Sequence, residues 1–460
     1  MCIRDRGRLT PKGFQDPEKH LYRVDSPTVS RWVLFVVISW TLAQGWELIK
    51  GDISGAFLQG EPLTRENVWI KMPFELVAMG LVPANRLWRR VLKAVYGMNE
   101  APRAWYKAIT AAAFALGFVQ SLIDPCLLIL VDSGKVVCVL VLYVDDLICA
   151  GHKEQAAKVM HALAAKYPMG QLEESWKLQS ISYTGMDINF HRGSDGTLSS
   201  VVLTQEAYVK SKFPGAIKEL ETALNGHKAT AQDLCTARQA DSFRSGNGKL
   251  AWSGNTRPQN SFEISELASS AKAPTIGDAK KLLKTLRQVL EHAADGITLT
   301  KLDPKRLGVV GFGDASFANR GERTQGGFIV LLAEGDAQLQ SVTATRIRAD
   351  SVNSQKATGN IAMFRSTKIS RVCVGTFDTE TIEAVETVDA STCVAYLLSE
   401  LKNGRLPSIA ERVLLRGFGD VELPPPDVWI EVESDGKGTV SAVHSTRPVS
   451  NKRRRIDIAL

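Results

Sequence analysis

The stretch VLVLYVDDLICAGH, residues 139–152, sets two adjacent carboxylates, Asp145 and Asp146, between two short apolar runs of strand-forming residues. Such a pattern predicts a buried β-hairpin with the acids at its tip. Side chains two apart share a strand face, so Tyr143 and Asp145 are expected on one face and Asp146 in the turn. Like charges this close repel and raise each other's pKa unless a cation neutralises them. Oxygen-only ligands at a hairpin tip suit magnesium, which keeps waters and takes one or two carboxylates plus substrate phosphates. The competing reading is a solvated Asp-Asp turn, the commoner case for a lone pair of acids.

A second acid tips the balance. Asp52 ends the apolar strand pattern WELIKGD, and AFLQG begins four residues later. Acids at two strand ends could hold a pair of ions, one activating an attacking oxygen and one stabilising the leaving oxygen, the logic of nucleotidyl transfer.

Composition constrains this only loosely. A chain of 460 residues has room for two to four domains. Lys plus Arg number 56 against 49 Asp plus Glu, a net +7 that many proteins share without touching nucleic acid. The seven cysteines form no CxxC pair, which argues against a disulfide framework or zinc site and for a reducing, intracellular compartment. The apolar runs WVLFVVISW and VVCVLVLYV are shorter than the roughly 18–20 residues that span a bilayer, so no membrane partner is expected. The opening residues MCIRDRGR connect to no periodic segment and are expected to be a truncated or artefactual start.

Along the chain, residues 26–44 predict a buried helix with Ser26 as N-cap and Pro27 at its first position. Gly97 and Pro102 break the stretch 87–118 before a long helix, and 170–205 alternates like further strands. The polar stretch after residue 213 reads as a connector around a small helical unit. In 278–293, Leu282, Leu283, Leu286, Val289 and Leu290 fall on one helical face. From about 305 a second globular pattern begins: strands RLGVVGFGDAS and GGFIVLL, a loop of roughly 30 residues from 334, a helix over 379–401 and a strand over 428–435.

KGFQD, SPTVSR, DISGAFLQGE, VWIKMP, AVYGMNEAPRAWY, DPCLLI and LYVDDLICAG occur in this order. Each fragment alone is weak, but seven in register resemble the reverse transcriptase of copia-type LTR retrotransposons. The resemblance runs from Lys12 to the SFRSGNGKLAWSGNTRPQNSFEISELAS stretch ending near Ser269, similar to the family's connection segment, with Gln259 where an Asp usually follows TRP. It implies that Asp52 and Asp145 ligate two magnesium ions and that Asp146 completes the acid triad. Phe57 matches the aromatic beneath the incoming sugar, whose ring would exclude a 2'-hydroxyl; its alternative role is core. Tyr96 and Gly97 match the segment beside the nucleotide and template base, though Gly97 serves equally as a turn. Arg8 and Lys12 stand where family members carry basic residues near the triphosphate.

Asp314, Glu380, Asp435 and Asp457 match the acids of the family's ribonuclease H domain, which bind two magnesium ions and hydrolyse the RNA of a hybrid; TQGGFIVLL matches its second strand. Asp378 and Glu383 are rivals of Glu380. His444, in AVHSTRP, is either an aid to product release or, the commoner case for a lone loop histidine, simply exposed, and Lys452 to Arg455 would meet phosphates or form a solvated tail.

The expected architecture is an α+β right-hand polymerase of fingers and palm over 1–213, with a palm β-hairpin, a thumb/connection region over 214–304, and a C-terminally truncated α/β ribonuclease H-like domain over 305–460. The implied partners are an RNA template, a DNA primer, an RNA–DNA hybrid and deoxynucleoside triphosphates. The implied setting is a fragment of a longer polyprotein in a cytoplasmic particle, with nuclear entry left open. The oligomeric state has no signature in the sequence. Two other readings stand beside this one: a catalytically decayed relic that only folds or binds nucleic acid, and another palm-type enzyme such as a nucleotide cyclase, which leaves the ribonuclease H acids unexplained.

Overall fold

The computed structural model describes residues 10–225, 230–320, 323–335, 346–348, 359–371, 373, 375–404 and 426–434. The chain divides into two compact units, 1–29 with 48–174, and 30–47 with 175–460. No helix among the described residues is long and apolar enough to cross a membrane.

The first unit is organised around a sheet of six strands in the order β4-β5-β6-β7-β1-β8: β1 Glu47–Asp52, β4 Phe118–Gln120, β5 Leu127–Asp132, β6 Lys135–Tyr143, β7 Asp146–Gly151 and β8 Glu173–Glu174. Leu127 to Ile129, Cys138 to Leu142 and Leu147 to Ala150 are buried without alternation, as in strands covered on both faces. Helices α3 (Ala101–Ala115, with Pro102 in its first turn) and α4 (Lys153–Lys166) belong to this unit. A two-stranded ribbon, β2 Trp69–Lys71 with β3 Trp88–Arg90, and the short α2 (Phe74–Ala78) complete it.

Helix α1 (Arg31–Gln44) begins later than its sequence suggests. Ser26 does not cap it, because its hydroxyl donates to the carbonyl of Pro102 at 3.2 Å; Ser30 is the N-cap and left-handed Gly45 ends the helix. α1 is buried nearly all round because it packs inside the second unit.

That unit has a four-stranded sheet, β12-β11-β10-β9 (β9 Ser180–Tyr183, β10 Met186–Arg192, β11 Leu198–Thr204, β12 Gly296–Thr300). The stretch expected as a connector around a small helical unit is mostly helix, α5 (Glu206–Leu224) and α6 (Ala237–Ser253). Sparse apolar positions suffice there, because Phe213, Leu220, Phe243 and Leu250 meet α8 (Ile276–Glu291) at Leu282 and Leu286 in one core, which Leu267 of α7 (Ser261–Ser269) joins. α8 starts in a capping box between Thr275 and Asp278. Of the predicted apolar face, Leu282, Leu286 and Val289 are buried, and Leu283 and Leu290 pack against them.

A second sheet of five strands has the order β15-β17-β13-β14-β16: β13 Leu307–Arg320, β14 Arg323–Glu334, β15 Arg346–Arg348, β16 Gly359–Lys368 and β17 Ile430–Glu433. β13, β14 and β16 run antiparallel in sequence, and β17 returns parallel to β13 after helix α9 (Thr376–Asn403). The predicted loop after 334 therefore ends in a strand, β16, whose alternating burial at Asn360, Ala362 and Phe364 answers to β14 and to α1. The side chain of buried Asn360 bonds both the amide and the carbonyl of Thr300, tying this sheet's edge to β12.

Candidate active site

The turn that joins β6 to β7 departs from expectation. Tyr143 pairs with Asp146, which opens β7, so Val144 and Asp145 form the two-residue loop. Asp145, not Asp146, sits in the turn. A two-residue hairpin loop needs a positive φ at its first central position, and Val144 supplies it at 55° although it is β-branched, a conformation that costs about 1–3 kcal/mol. Neighbours hold it there: the buried Trp105 of α3 donates its indole N–H to the Val144 carbonyl at 2.6 Å, and the Ile53 amide donates to the Asp145 carbonyl at 2.9 Å. The second bond fixes the end of β1, and thus Asp52, to the hairpin tip.

Asp52 is exposed; Asp145 and Asp146 are half-buried. Burial pushes the Asp146 carboxyl up, Lys50 opposes this, and Asp145 and Asp52 push it further up. The three acids thus share one electrostatic site, although no group of three metal-ligating side chains is drawn to ligating distance among the described residues. A sequence reading that singles out the acids misses their counter-ion. Lys50 lies on the same face of β1 as Asp52, two residues away. Its ammonium is 3.0 Å from Glu173 Oε1 and 3.6 Å from Asp146 Oδ1. Burial lowers the Lys50 pKa, but Glu173, Asp146 and Asp52 outweigh it and raise it overall. The donor set consists of oxygen ligands that repel one another in a partly buried site, which fits a hard divalent cation.

The predicted substrate residues also converge. After Asp52, left-handed Gly55 leads into a 3-10 turn, Ala56–Gln59, that carries Phe57. Its ring meets Tyr96 with centroids 4.9 Å apart, against a core of Val91, Ala94, Met98 and Ala101. Beside Tyr96, Gly97 has φ 95°, and a Cβ there would lie 2.3 Å from the Pro11 carbonyl oxygen. The Gly13 amide donates to the Gly97 carbonyl at 3.0 Å, and Asn99 donates to the Gly13 carbonyl at 2.9 Å. Segment 11–13, with exposed Lys12, is thereby zipped onto 97–99. Arg65, ion-paired with Asp16, Glu18 and Glu100, anchors the residues that follow. Arg8 lies outside the described residues.

In the second unit Asp314 and the α9 acids do not meet on one side. A Cβ at Gly311 or Gly313 would strike Ser391 or Thr387 of α9, so those positions face the helix and Asp314, by alternation, faces away. On the helix side, buried Glu383 lies 3.7 Å from Arg365. Burial pushes its carboxyl up to about 7, Arg365 opposes this, and Glu386 and Asp314 add to the rise. Glu380 and Asp378 are buried in the first turns of α9. Asp435, His444, the basic run 452–455 and Asp457 lie outside the described residues.

Residues 2–211 match the family described as reverse transcriptase (RNA-dependent DNA polymerase). The chain is similar to the retrovirus-related Pol polyproteins from transposons RE2 and RE1 of Arabidopsis thaliana, 26% identical over 335 residues and 25% over 338. Each match covers 72% of this chain and 22% of the polyprotein. It is also 25% identical over 239 residues to that from transposon TNT 1-94 of Nicotiana tabacum, covering 51% of this chain and 17% of the relative. The chain thus spans about a fifth of the length of these relatives. With the acid-bearing hairpin and the Phe57–Tyr96 contact inside the matched segment, residues 2–211 are a copia-type reverse transcriptase region.

Proposed function

We propose that the chain carries out RNA-directed DNA synthesis, extending a DNA primer on an RNA template with deoxynucleoside triphosphates. The observation that carries this is the clamped hairpin: a strained turn at Val144, held by Trp105 and by the end of β1, sets Asp145 and Asp146 beside Asp52. Strain of this kind persists where the surroundings over-determine it, and it concentrates at functional sites. Asp52 and Asp145, with Asp146, would hold two Mg2+ ions, which supply Lewis-acid stabilisation of the attacking and leaving oxygens. The chain's own residues do the rest. Phe57 and Tyr96 form the wall against which the incoming sugar packs, and Gly97, by letting Pro11 approach, holds the segment from which Lys12 reaches the phosphates. Lys50 balances the acid charge and, through Glu173, positions Asp146.

We read the β13–β17 sheet with α9 as a ribonuclease H-like domain. Asp314 lies on β13, and the strand leading to position 435 is its parallel neighbour. Among the described candidate acids, Asp314 faces away from α9, which carries Glu380, so cleavage of an RNA–DNA hybrid is expected to be weak.

The full chain, given a primed RNA template, Mg2+ and deoxynucleotides, should extend the primer, and removing the metal with a chelator should stop it. A folded chain that binds primed template but never extends it would favour the decayed-relic reading.

A further inference from the structure

The β2–β3 ribbon pairs Trp69 with Arg90, Ile70 with Arg89 and Lys71 with Trp88. Cross-strand partners share a face and neighbours along a strand alternate, so Trp69, Lys71, Trp88 and Arg90 lie together on one side. That side is in water: Trp69 is 52% exposed and Trp88 58%, and Lys71 and Arg90 are exposed as well. Ile70, on the reverse side, packs against Val91, Ala94 and Met98 and anchors the ribbon. Each indole thus leaves about half of its surface in water, so roughly half of the 150–250 Å² that a fully buried aromatic side chain removes is still to be covered.

The pattern is a checkerboard, in which each indole has a cation across the ribbon and another two residues along its own strand. Neither Lys71 nor Arg90 is ion-paired with an acid among the described residues. The adjoining groove of ≈ 960 Å³ balances Lys12, Arg65 and Lys71 against Asp16, Glu18 and Glu66, with Arg65 ion-paired to Asp16 and Glu18, so the cations of the ribbon face itself are what an anion would meet.

We propose that this face binds single-stranded nucleic acid, with bases stacked on Trp69 and Trp88 and phosphates held by Lys71 and Arg90. Aromatic platforms interleaved with cations suit a polymer that alternates flat rings with anionic charge. A protein partner fits less well: Trp and Arg are common in protein interfaces, but Lys is depleted there, and the two cations on this face have no acid partner among the described residues. The proposal goes beyond the polymerase reading, since the ribbon carries none of the residues assigned to catalysis or nucleotide binding.

Binding of a labelled oligouridylate to the full chain, without nucleotides or Mg2+, tests it independently of catalysis. Trp69→Ala with Trp88→Ala should weaken binding about tenfold per indole and leave its salt dependence unchanged. Lys71→Gln with Arg90→Gln should reduce the slope of log affinity against log salt by roughly 0.7 per cation removed. Photo-cross-linking of a bromouridine-substituted oligonucleotide to the unmutated chain should place adducts on Trp69 or Trp88, which guards against variants that fail to fold. Adducts confined to other residues, or an unchanged affinity in folded Trp variants, would overturn the proposal. So would an unchanged affinity coupled to loss of self-association, which would assign the face to a protein partner.

Discussion

Phe57 and Tyr96 are adjacent in space although 39 positions separate their numbers, and the half-buried Phe57 ring packs on the core beneath it, so the sugar-facing role we propose for it needs a test of its own. Phe57→Ala should lower the preference for deoxy- over ribonucleotides, read as the ratio of the two incorporation rates; an unchanged ratio with retained activity would leave Phe57 a core residue. Glu383 makes a different statement. Its folded pKa, about 7, stands above the ordinary 4.5, so the folded chain binds more protons than the unfolded one between those values, and stability falls as pH rises through that window. The loss amounts to roughly 3 kcal/mol as an upper bound. Glu383→Gln should flatten the dependence of the unfolding midpoint on pH between about 4.5 and 7; a slope equal to the parent's would contradict the assignment. Lys50 was legible in the sequence by its period-2 spacing from Asp52, but Glu173, its partner, was not, because nothing local says that β8 pairs with β1.

At the scale of elements, long segments with a clear period declared themselves: α8 by its leucine face, β6 and β7 by unbroken apolar runs. What the sequence concealed was set by partners distant along the chain. α5 and α6 carry too few apolar residues to stand out, and become helices by sharing a core with α8. The hairpin was placed one residue off, since the choice of loop residues rests on Val144 accepting a positive φ under the hold of Trp105. Trp105→Phe deletes that hydrogen bond and half of the buried indole, while keeping an aromatic ring at the position. It should cost about 2–3 kcal/mol of stability, the hydrogen bond and the lost ring together, and, by letting the tip shift, slow extension about 100-fold; thermal unfolding and single-turnover extension separate the two. Equal extension rates would mean that the turn needs no clamp. Gly97→Ala should likewise slow extension, because a Cβ at φ 95° meets the Pro11 carbonyl and pushes away the segment carrying Lys12.

For the whole molecule, the net charge of +7 says little; the chemistry is concentrated in a few places. One is the hairpin tip in the first unit, where three acids and a lysine gather on neighbouring strands, and another is the sheet of the second unit, where burial, and Asp314 from the opposite face, raise the Glu383 carboxyl. Polymerase chemistry should therefore hinge on the first site alone. The most direct measurement is the rate of primer extension on an RNA template by Asp145→Asn beside the parent, with the fold of each checked by circular dichroism. Replacing the carboxylate by an amide of the same shape removes metal-binding charge and little packing, so the rate should drop about a thousandfold, equivalent to several kcal/mol of transition-state stabilisation, with the spectrum unchanged. Extension by the folded variant at the parent's rate would contradict the account.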